Sequence, residues 1–278
     1  MTHPLISVVT PSFNQAQFLE RTIKSVLDQN YPRIEYIIMD GGSTDASVEI
    51  IKRYANRLTY WVSQKDRGQS DAINQGFARS TGAILTWLNS DDYLMPGSLS
   101  AVAESNARHP DAGAWVGDCQ LVASHTDEKE LVRADALDLD ALGAHGQEVF
   151  FGQPSCFFSV EAWKKCGPLD ENLHLSMDLD LWLKMLKHYR FERVNALLSC
   201  ATRHADAKTV VQRHRSLAQS WLVRARHGFS ETVENEIVQM IAKAETDAAR
   251  VQSLTRNPIY RLARPVLKMF GVVGGFEK

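Results

Sequence analysis

The chain has 278 residues, of which 44% are hydrophobic and 23% are charged, a composition that is ordinary for a soluble globular protein. Its length suits one large α/β domain with an appendage, or two modest domains. The formal net charge of −2 at pH 7 gives no global electrostatic attraction to nucleic acid, which we therefore do not expect as a partner.

Cysteine usage and the distribution of apolar residues indicate the compartment. Cys119, Cys156, Cys166 and Cys200 are widely scattered and form no Cys-x-x-Cys pair, so we expect reduced, buried thiols in a cytosolic enzyme and no zinc site. The N-terminus lacks a charged segment followed by an apolar run, so we expect no secretory signal. No apolar stretch reaches the roughly 18 residues of an ordinary transmembrane helix.

Apolar segments of strand length alternate with segments of helix length through the first half of the chain. Strands are predicted at 5–10, 34–39, 58–62 and 83–88, and helices at 16–27, after Asp45, and at 70–79. This alternation predicts parallel strands joined by right-handed crossovers. Ligands of such sheets bind beyond the carboxyl ends of the strands. Polar residues follow each of these strands: Asn14, Asp40, Asp66 with Arg67, and Asp91 with Asp92.

The second half of the chain is less regular. Helices are predicted at 98–108, 161–166 and 177–188, and strands at 114–122 and 157–160. From residue 211 onward the pattern is helical and charged, without a clear strand. The sequence therefore predicts an α/β domain followed by a helical C-terminal extension.

The adjacent carboxylates at the end of the fourth strand are the strongest local signal. Asp91 and Asp92 repel each other unless a cation lies beside them. Hard oxygen ligands on a short loop suit Mg²⁺ or Mn²⁺, which take their remaining ligands from water and substrate phosphates. The structural alternative is a turn with a helix cap ahead of Pro96.

Two further polar segments have both a binding and a structural interpretation. In segment 40–45, two glycines allow a ligand to approach the backbone closely, and Asp40 can accept hydrogen bonds from a base or ribose. In segment 66–76, Arg67 can neutralise phosphate and Asp71 lies in the first helical turn. The structural alternatives are a capped strand-to-helix turn and a capped surface helix.

Taken together and in order, four segments resemble the motifs of family 2 glycosyltransferases. They are 8–14 (Val-Val-Thr-Pro-Ser-Phe-Asn), 40–45 (Asp-Gly-Gly-Ser-Thr-Asp), 66–74 (Asp-Arg-Gly-Gln-Ser-Asp-Ala-Ile-Asn) and 87–92 (Trp-Leu-Asn-Ser-Asp-Asp). The resemblance covers about residues 6–204. It implies the GT-A fold, a Rossmann-like, mainly parallel sheet flanked by helices, and an inverting mechanism.

The resemblance also implies a domain organisation. We expect a GT-A catalytic domain at 1–210, with a nucleotide-sugar half at about 1–118 and an acceptor half at about 119–210. The helical extension would then occupy 211–278 and is a candidate for contact with a membrane or another subunit. The oligomeric state is not indicated by the sequence.

Roles for individual residues follow from the same resemblance. The residues implied to bind the nucleotide are Pro11, Ser12, Asn14, Asp40, Arg67, Asp71, Asn89 and Ser90. Asn89, Ser90 and Asp91 fall on the Asp-x-Asp motif of the family, with Asn89 replacing the first acid. Metal binding is therefore expected to depend on Asp91, with Asp92 beside it. His204 resembles a late histidine that binds metal or diphosphate, although a lone histidine is more often structural.

Inverting transfer requires a carboxylate base opposite the leaving diphosphate. Asp178 and Asp180 flank the apolar stripe of the predicted helix, so they are not interchangeable. Met177 and Asp178 align with the acidic pair of the family, often Glu-Asp, which implies Asp178 as the base. Alternatively, both aspartates are helix caps or dipole partners. Gln153, Trp182 and Asp180 are candidates for acceptor contact.

These features together predict an inverting glycosyltransferase that uses a nucleoside diphosphate sugar, with UDP as the favoured nucleotide, and a saccharide or lipid-linked acceptor in bacterial surface glycan synthesis. The alternatives are a sugar nucleotidyltransferase, which the absence of a glycine-rich basic loop at 11–14 disfavours, and a non-catalytic nucleotide-sugar binder. Basic and apolar residues at 254–273 suit an anionic membrane surface, or packing against the core or another subunit. We expect a cytoplasmic protein with peripheral contact at the inner face of the membrane.

Overall fold

The computed structural model describes residues 3–124, 126, 128–144 and 151–256. The contacts within the chain divide it into two units, Met1–Phe229 and a second unit that begins at Ser230. The first unit contains the whole of the described β-sheet. In the described residues, the second unit is a single helix.

The first four strands form the parallel part of the sheet. They are β1 (Ile6–Ser12), β2 (Ile34–Asp40), β3 (Tyr60–Ser63) and β4 (Ile84–Trp87). β1 lies at the centre of this part, with β2 on one side and β4 on the other, and β3 lies outside β2. The order confirms the parallel arrangement that the alternating sequence pattern predicts.

The strand register determines which residues meet at the carboxyl edge. Ser12 is the partner of Asp40 across β1 and β2, and Asp40 is the partner of Ser63 across β2 and β3. Because parallel strands end at the same edge, these three residues form a row there. The loops after β1, β2 and β3 therefore start side by side.

Helices connect these strands because their apolar residues recur at helical spacing. In α1 (Ala16–Leu27), Leu19, Ile23 and Val26 are fully buried against the sheet, three to four residues apart. The next two helices are α2 (Ser47–Tyr54) and α3 (Gln69–Phe77).

The second half of the sheet is mixed, which the sequence did not indicate in detail. Its strands are β5 (Tyr93–Leu94), β6 (Ala114–Ala123), β7 (Lys129–Val132), β8 (Cys156–Ser159) and β9 (Phe191–Arg203). β8 is antiparallel to both β4 and β6, while β6 and β9 are parallel. β5 and β7 pair at the far side with β9 and β6. The long strand β9 was not predicted.

The remaining helices surround this half of the sheet or follow it. They are α4 (Ser98–Arg108), α5 (Leu139–Ala144), α6 (Val160–Cys166), α7 (Met177–Leu186), α8 (Lys208–Val211), α9 (Arg213–Arg226) and α10 (Ser230–Arg256). Helices α8 and α9 belong to the first unit, so the contacts divide the chain after Phe229, whereas the sequence suggested an end near residue 210.

Two hydrophobic clusters cover the two faces of the sheet. Val9 of β1 belongs to one cluster and Val8 to the other, as the alternation of side chains along a strand requires. The four cysteines are unpaired and buried, as expected. In the part of the chain that the structure describes, no helix has both the length and the apolar character needed to cross a bilayer. Most of the basic and apolar stretch at 254–273 lies outside the described residues.

Candidate active site

Asp40 at the end of β2 organises the glycine-rich turn that follows it. Its Oδ2 accepts hydrogen bonds from the backbone N–H groups of Gly42 at 3.2 Å and Ser43 at 2.9 Å, and from the Ser63 hydroxyl at 2.6 Å. Its Oδ1 accepts the Ser43 hydroxyl at 2.5 Å. Asp40 is 2% exposed, and these donors satisfy its buried charge. The carboxylate therefore shapes the turn in addition to bordering a cleft.

The loop after β1 is tied to the same turn. Asn14 has a left-handed backbone conformation, with φ of 53°, which Asn adopts more readily than most residues. Its Oδ1 accepts the Thr44 N–H at 2.8 Å, and its own N–H donates to the Ser43 hydroxyl at 2.8 Å. Pro11 and Ser12 lie at the buried end of β1 just before this loop. The structure thus brings Pro11, Ser12 and Asn14 to the turn that Asp40 organises.

A small, open cleft lies beside Asp40. Burial raises the pKa of the Asp66 carboxyl, and the nearby Asp71 and Asp40 carboxylates raise it further. The absence of a side chain at Gly41 makes room for this group, because a Cβ there would lie 2.7 Å from Oδ2 of Asp66. The cleft is lined by Met39, Asp40, Val62, Gln64, Asp66, Ala72 and Gln75.

The Arg67 side chain is neutralised by two carboxylates. Its guanidinium donates to Asp71 at 2.7 Å and to Glu171 at 3.0 Å. The hydrogen bond from Arg67 is the largest effect that lowers the pKa of Asp71 to about 2. Arg67 therefore links the first turn of α3 to the segment before α7, and its charge is already paired.

Asn89 is the centre of a chain of amide hydrogen bonds just beyond β4. Its Oδ1 accepts from Gln69 at 2.8 Å, and its Nδ2 donates to Gln153 at 3.1 Å and to Asp92 at 3.3 Å. Gln153 in turn donates to the carbonyl of Trp87 at 3.0 Å. The structure thereby connects Asn89 with Gln153, two predicted site residues that are 64 positions apart.

Asp91 and His204 meet beside this amide chain. The distance between Nε2 of His204 and Oδ2 of Asp91 is 3.1 Å, and His204 is 5% exposed. The imidazole packs on the ring of Phe18, with 4.7 Å between centroids. Arg21 donates to the backbone carbonyl of Asp91 at 3.0 Å, so it fixes the loop and leaves the carboxylate free of a guanidinium contact.

Asp92 points into the protein. Its Oδ1 accepts the N–H of Thr202 in β9 at 3.0 Å, and its Oδ2 accepts from Asn89. Burial raises the pKa of Asp92 well above its usual value, and Asp91 adds to this effect. The carbonyl of the buried Ser90 accepts the Thr22 hydroxyl at 2.9 Å. These bonds hold the loop rigidly against α1 and β9.

The donors at this loop can be compared with those that a divalent cation needs. Among the described residues, no group of three or more His, Cys, Asp or Glu side chains has the geometry of a metal site. Asp91 and His204 nevertheless offer a carboxylate and an imidazole side by side, while both oxygens of Asp92 are engaged. Two protein ligands fit a Mg²⁺ or Mn²⁺ ion that takes its other ligands from diphosphate and water.

Asp178 lies at the start of α7 in a different environment. Its Oδ1 accepts the N–H of Leu179 at 2.8 Å, and burial raises the pKa of the carboxyl. Asp178 also acts on Cys156, where it adds to the effect of burial in raising the pKa of the thiol. Because Cys156 follows Gln153 by three positions, Asp178 is near the strand that continues from the amide chain.

Asp180 and Trp182, the other predicted residues of α7, make internal contacts. Burial would raise the pKa of Asp180, but hydrogen bonds from His227 at 2.9 Å and Lys184 at 2.6 Å lower it. Trp182 is 4% exposed and stacks on Trp87, with 5.3 Å between ring centroids. These contacts give both residues a packing role.

Sequence reasoning did not assign several residues that the structure brings to this edge. Asp66 was recognised only as a polar residue after β3, although it lines the cleft. Lys208 donates to Gln69 at 3.0 Å from the opposite side of the site. An isolated lysine or glutamine in a sequence gives no signal of such pairing, because these residues are 139 positions apart.

Comparison with known proteins indicates the family to which part of this chain is similar. Residues 7–139 match the family model described as glycosyl transferase family 2. The uncharacterized glycosyltransferase Rv1514c of Mycobacterium tuberculosis is 46% identical over 90 residues, which are 32% of this chain and 34% of that protein. The putative teichuronic acid biosynthesis glycosyltransferase TuaG of Bacillus subtilis is 28% identical over 195 residues, which cover 66% and 73% of the two chains. The chain thus spans about a third of the length of the mycobacterial relative.

Solved structures share the fold. The mannosyltransferase PcManGT from Pyrobaculum calidifontis, in complex with GDP-Man and Mn²⁺, has a TM-score of 0.63 at 17% identity, over 94% of this chain and 83% of that one. S. aureus TarS 1-349, in complex with UDP-GlcNAc, has a TM-score of 0.60 at 16% identity, over 78% and 66%. The fold of the first unit is therefore GT-A-like, as the sequence predicted, although its sheet is mixed and not mainly parallel, because β5, β7 and β8 pair antiparallel with their neighbours.

Proposed function

We propose that this chain, whose residues 7–139 form a glycosyl transferase family 2 domain, transfers a sugar from a nucleoside diphosphate sugar to an acceptor hydroxyl. The observation that supports this most directly is the amide chain centred on Asn89. It joins Gln69, on the side of the cleft at Asp40, to Gln153, on the side of Asp178. A sugar between these two sides would have its diphosphate near Asp91 and its anomeric carbon toward Asp178.

The cleft between Asp40 and Asp66 is the proposed nucleoside site. A carboxylate there can accept an N–H from a base or hydroxyls from a ribose, and the apolar Met39 and Val62 can pack on a ring. UDP is our favoured nucleotide, since TarS has been solved with UDP-GlcNAc. PcManGT has been solved with GDP-Man, so guanine belongs in the same test.

Asp91 and His204 are the proposed holders of a Mn²⁺ or Mg²⁺ ion, with Asp92 fixing the loop behind them. When bound, such an ion would supply positive charge to the diphosphate oxygens. This proposal is supported by the adjacent carboxylate and imidazole. PcManGT, which shares the fold, has been solved with Mn²⁺.

The proposed reaction is a single displacement with inversion. The acceptor oxygen forms a bond to the anomeric carbon while the bond from that carbon to the diphosphate oxygen breaks. Asp178 accepts the hydroxyl proton, and the leaving nucleoside diphosphate keeps the electron pair. A carboxyl whose pKa is raised by burial is a better base at neutral pH than an exposed aspartate.

The acceptor is proposed to be a saccharide or a lipid-linked saccharide of a bacterial surface glycan. The similarity to TuaG, a putative teichuronic acid biosynthesis glycosyltransferase, supports this class. Contact of the 254–273 stretch with the inner face of the membrane stays a prediction. Flotation of the chain with anionic liposomes, with and without residues 257–278, tests it, and equal flotation contradicts it.

The decisive experiment mixes the purified chain with a panel of UDP-, GDP- and other nucleotide sugars and measures free nucleoside diphosphate with Mn²⁺ or with EDTA. We expect release of one nucleoside diphosphate that increases with a saccharide acceptor. Pyrophosphate release from a nucleoside triphosphate and a sugar phosphate would instead identify a nucleotidyltransferase. Thermal stabilisation by a nucleotide sugar without any product would identify a non-catalytic binder.

A further inference from the structure

The basic side chains around the carboxyl edge differ in what they contact. Arg21 donates to a backbone carbonyl and a hydroxyl, and its guanidinium lies 4.3 Å from the centre of the Tyr93 ring. Arg67 is paired with the carboxylates of Asp71 and Glu171. Lys208, the first residue of α8, contacts a neutral amide at its Nζ, namely Oε1 of Gln69 at 3.0 Å.

The ammonium of Lys208 faces acids without touching them. In the described residues, no carboxylate oxygen forms an ion pair with its Nζ, although Asp91 and Asp66 act on it from a longer distance. Lys208 is exposed at the surface, but partial desolvation of its ammonium lowers the pKa, and these two carboxylates oppose that effect. Its positive charge therefore lies between the loop after β3 and the loop after β4 and is not cancelled by direct contact.

The amide that holds Lys208 is itself fixed. Gln69 begins α3 after Gly68, whose φ of 120° is in the region that favours glycine. The Nε2 of Gln69 donates to Asn89 at 2.8 Å, so its Oε1 points in one defined direction. Lys208 is consequently the end of the amide chain that crosses the site.

We propose that the Lys208 ammonium binds the diphosphate of the donor, the role that the sequence suggested for Arg67. This inference rests on the proposed function and names the cation of its donor site. An ammonium held by one neutral amide can transfer its hydrogen bonds to phosphate oxygens at little cost, whereas the charge of Arg67 is already compensated by two carboxylates at its Nη2. Gln69 is a positioning residue in this arrangement.

The experiment compares UDP with uridine, and GDP with guanosine, by calorimetry in EDTA and in Mn²⁺. The variants are Lys208→Met and, as a matched control, Lys52→Met, whose exposed side chain lies in the last turn of α2 at the opposite end of the sheet. We expect Lys208→Met to weaken the binding of UDP or GDP about tenfold or more in EDTA, as for loss of a hydrogen bond to a charged group. The nucleoside should bind both variants as it binds the original chain.

Each other outcome overturns the inference in a distinguishable way. Unchanged diphosphate affinity in Lys208→Met would show that the ammonium does not bind phosphate. Equal weakening of uridine and UDP would show that Lys208 supports the shape of the nucleoside cleft instead. If the unaltered chain bound no nucleoside diphosphate at all, the proposed function would fail, and this inference with it.

Discussion

The same substitution, Asp to Asn, should have opposite effects on thermal stability at the two aspartates of α7. Asp178→Asn and Asp180→Asn each remove one negative charge with little change in volume, two residues apart on the same helix. Burial raises the pKa of Asp178, whereas hydrogen bonds from His227 and Lys184 outweigh burial and lower that of Asp180. Only Asp178 is proposed to take part in the chemistry.

The signs follow from the folded and unfolded pKa values. An unfolded aspartate has a pKa of about 3.9. The folded pKa of Asp178 is higher than this value. Ionisation of Asp178 therefore lowers the stability of the folded state as pH rises from about 3.9 through the folded pKa. Asp180 has the lower folded pKa, so it contributes stability above about pH 3.9 that is lost as pH falls through its folded pKa. At pH 7 we therefore expect Asp178→Asn to raise Tm and Asp180→Asn to lower it.

The magnitudes come from the contacts that each variant keeps or loses. Asn at 178 can still accept the Leu179 N–H, so the helix start is preserved. Asn at 180 loses charge-assisted hydrogen bonds to His227 and Lys184, which cost roughly 2 kcal/mol. For a unit of this size that corresponds to a fall in Tm of about 4–8 °C. Loss of a general base should lower kcat by about 10²–10⁴ in Asp178→Asn alone.

The assay is thermal unfolding between pH 3.5 and pH 8, together with turnover and donor binding at pH 7. In Asp178→Asn, donor affinity should stay unchanged and the gain in Tm should disappear toward pH 3.5. Turnover close to that of the original chain would move the base elsewhere. A fall in Tm for both variants at pH 7 would refute the assignment of different environments to the two carboxyls.

Three further substitutions test other parts of the site. Asn89→Asp should lower the free energy of unfolding by about 1–3 kcal/mol at neutral pH, because it places a carboxylate 3.3 Å from Asp92; urea titration with and without Mn²⁺ checks whether metal restores the loss. Trp182→Ala should cost about 3–5 kcal/mol with no change in donor affinity, and weakened acceptor binding without destabilisation would contradict its place in the core. Gly41→Ala should weaken the binding of uridine and of UDP equally, since the added Cβ would lie 2.7 Å from Oδ2 of Asp66 in the cleft. Unchanged affinity in calorimetry would show that this cleft is not the nucleoside site.

The parallel half of the fold could be predicted because local patterns determine it. Polar residues end or closely follow strands β1 to β4, and the rule for parallel sheets places the carboxyl ends of the strands together, so Asn14, Asp40 and Asp91 are expected near one another. The predicted third strand began two residues early, since Leu58 ends a short turn before β3 starts at Tyr60. The existence of each element depended on periodicity, whereas its first residue depended on tertiary pairing.

The mixed half could not be predicted in the same way. β9 alternates between buried and half-exposed positions only in part, and its pairing with β6 includes a shift in register at Gly117 to Cys119. The sequence also did not indicate which polar side chains contact one another. Arg67 and Glu171 are 104 positions apart, and Asp180 and His227 are 47 apart. Which charges are already neutralised is therefore a property of the fold, not of any motif.

The distribution of neutralised and free charges bears on whether the proposed donor site needs a cation. Asp40 is satisfied by its own turn and Asp71 by Arg67, so neither requires one. Among residues 3–124, 126, 128–144 and 151–256, no guanidinium or ammonium contacts the carboxylate of Asp66 or Asp91, and a diphosphate placed between these two carboxylates would be repelled. Lys208 from one side, and a divalent ion at Asp91 from the other, would each relieve part of that repulsion. Since Asn89 contributes no charge, the loop carries two acids, Asp91 and Asp92, where an aspartate at position 89 would make three. The smaller repulsion predicts that the donor binds measurably in EDTA for as long as Lys208 is present.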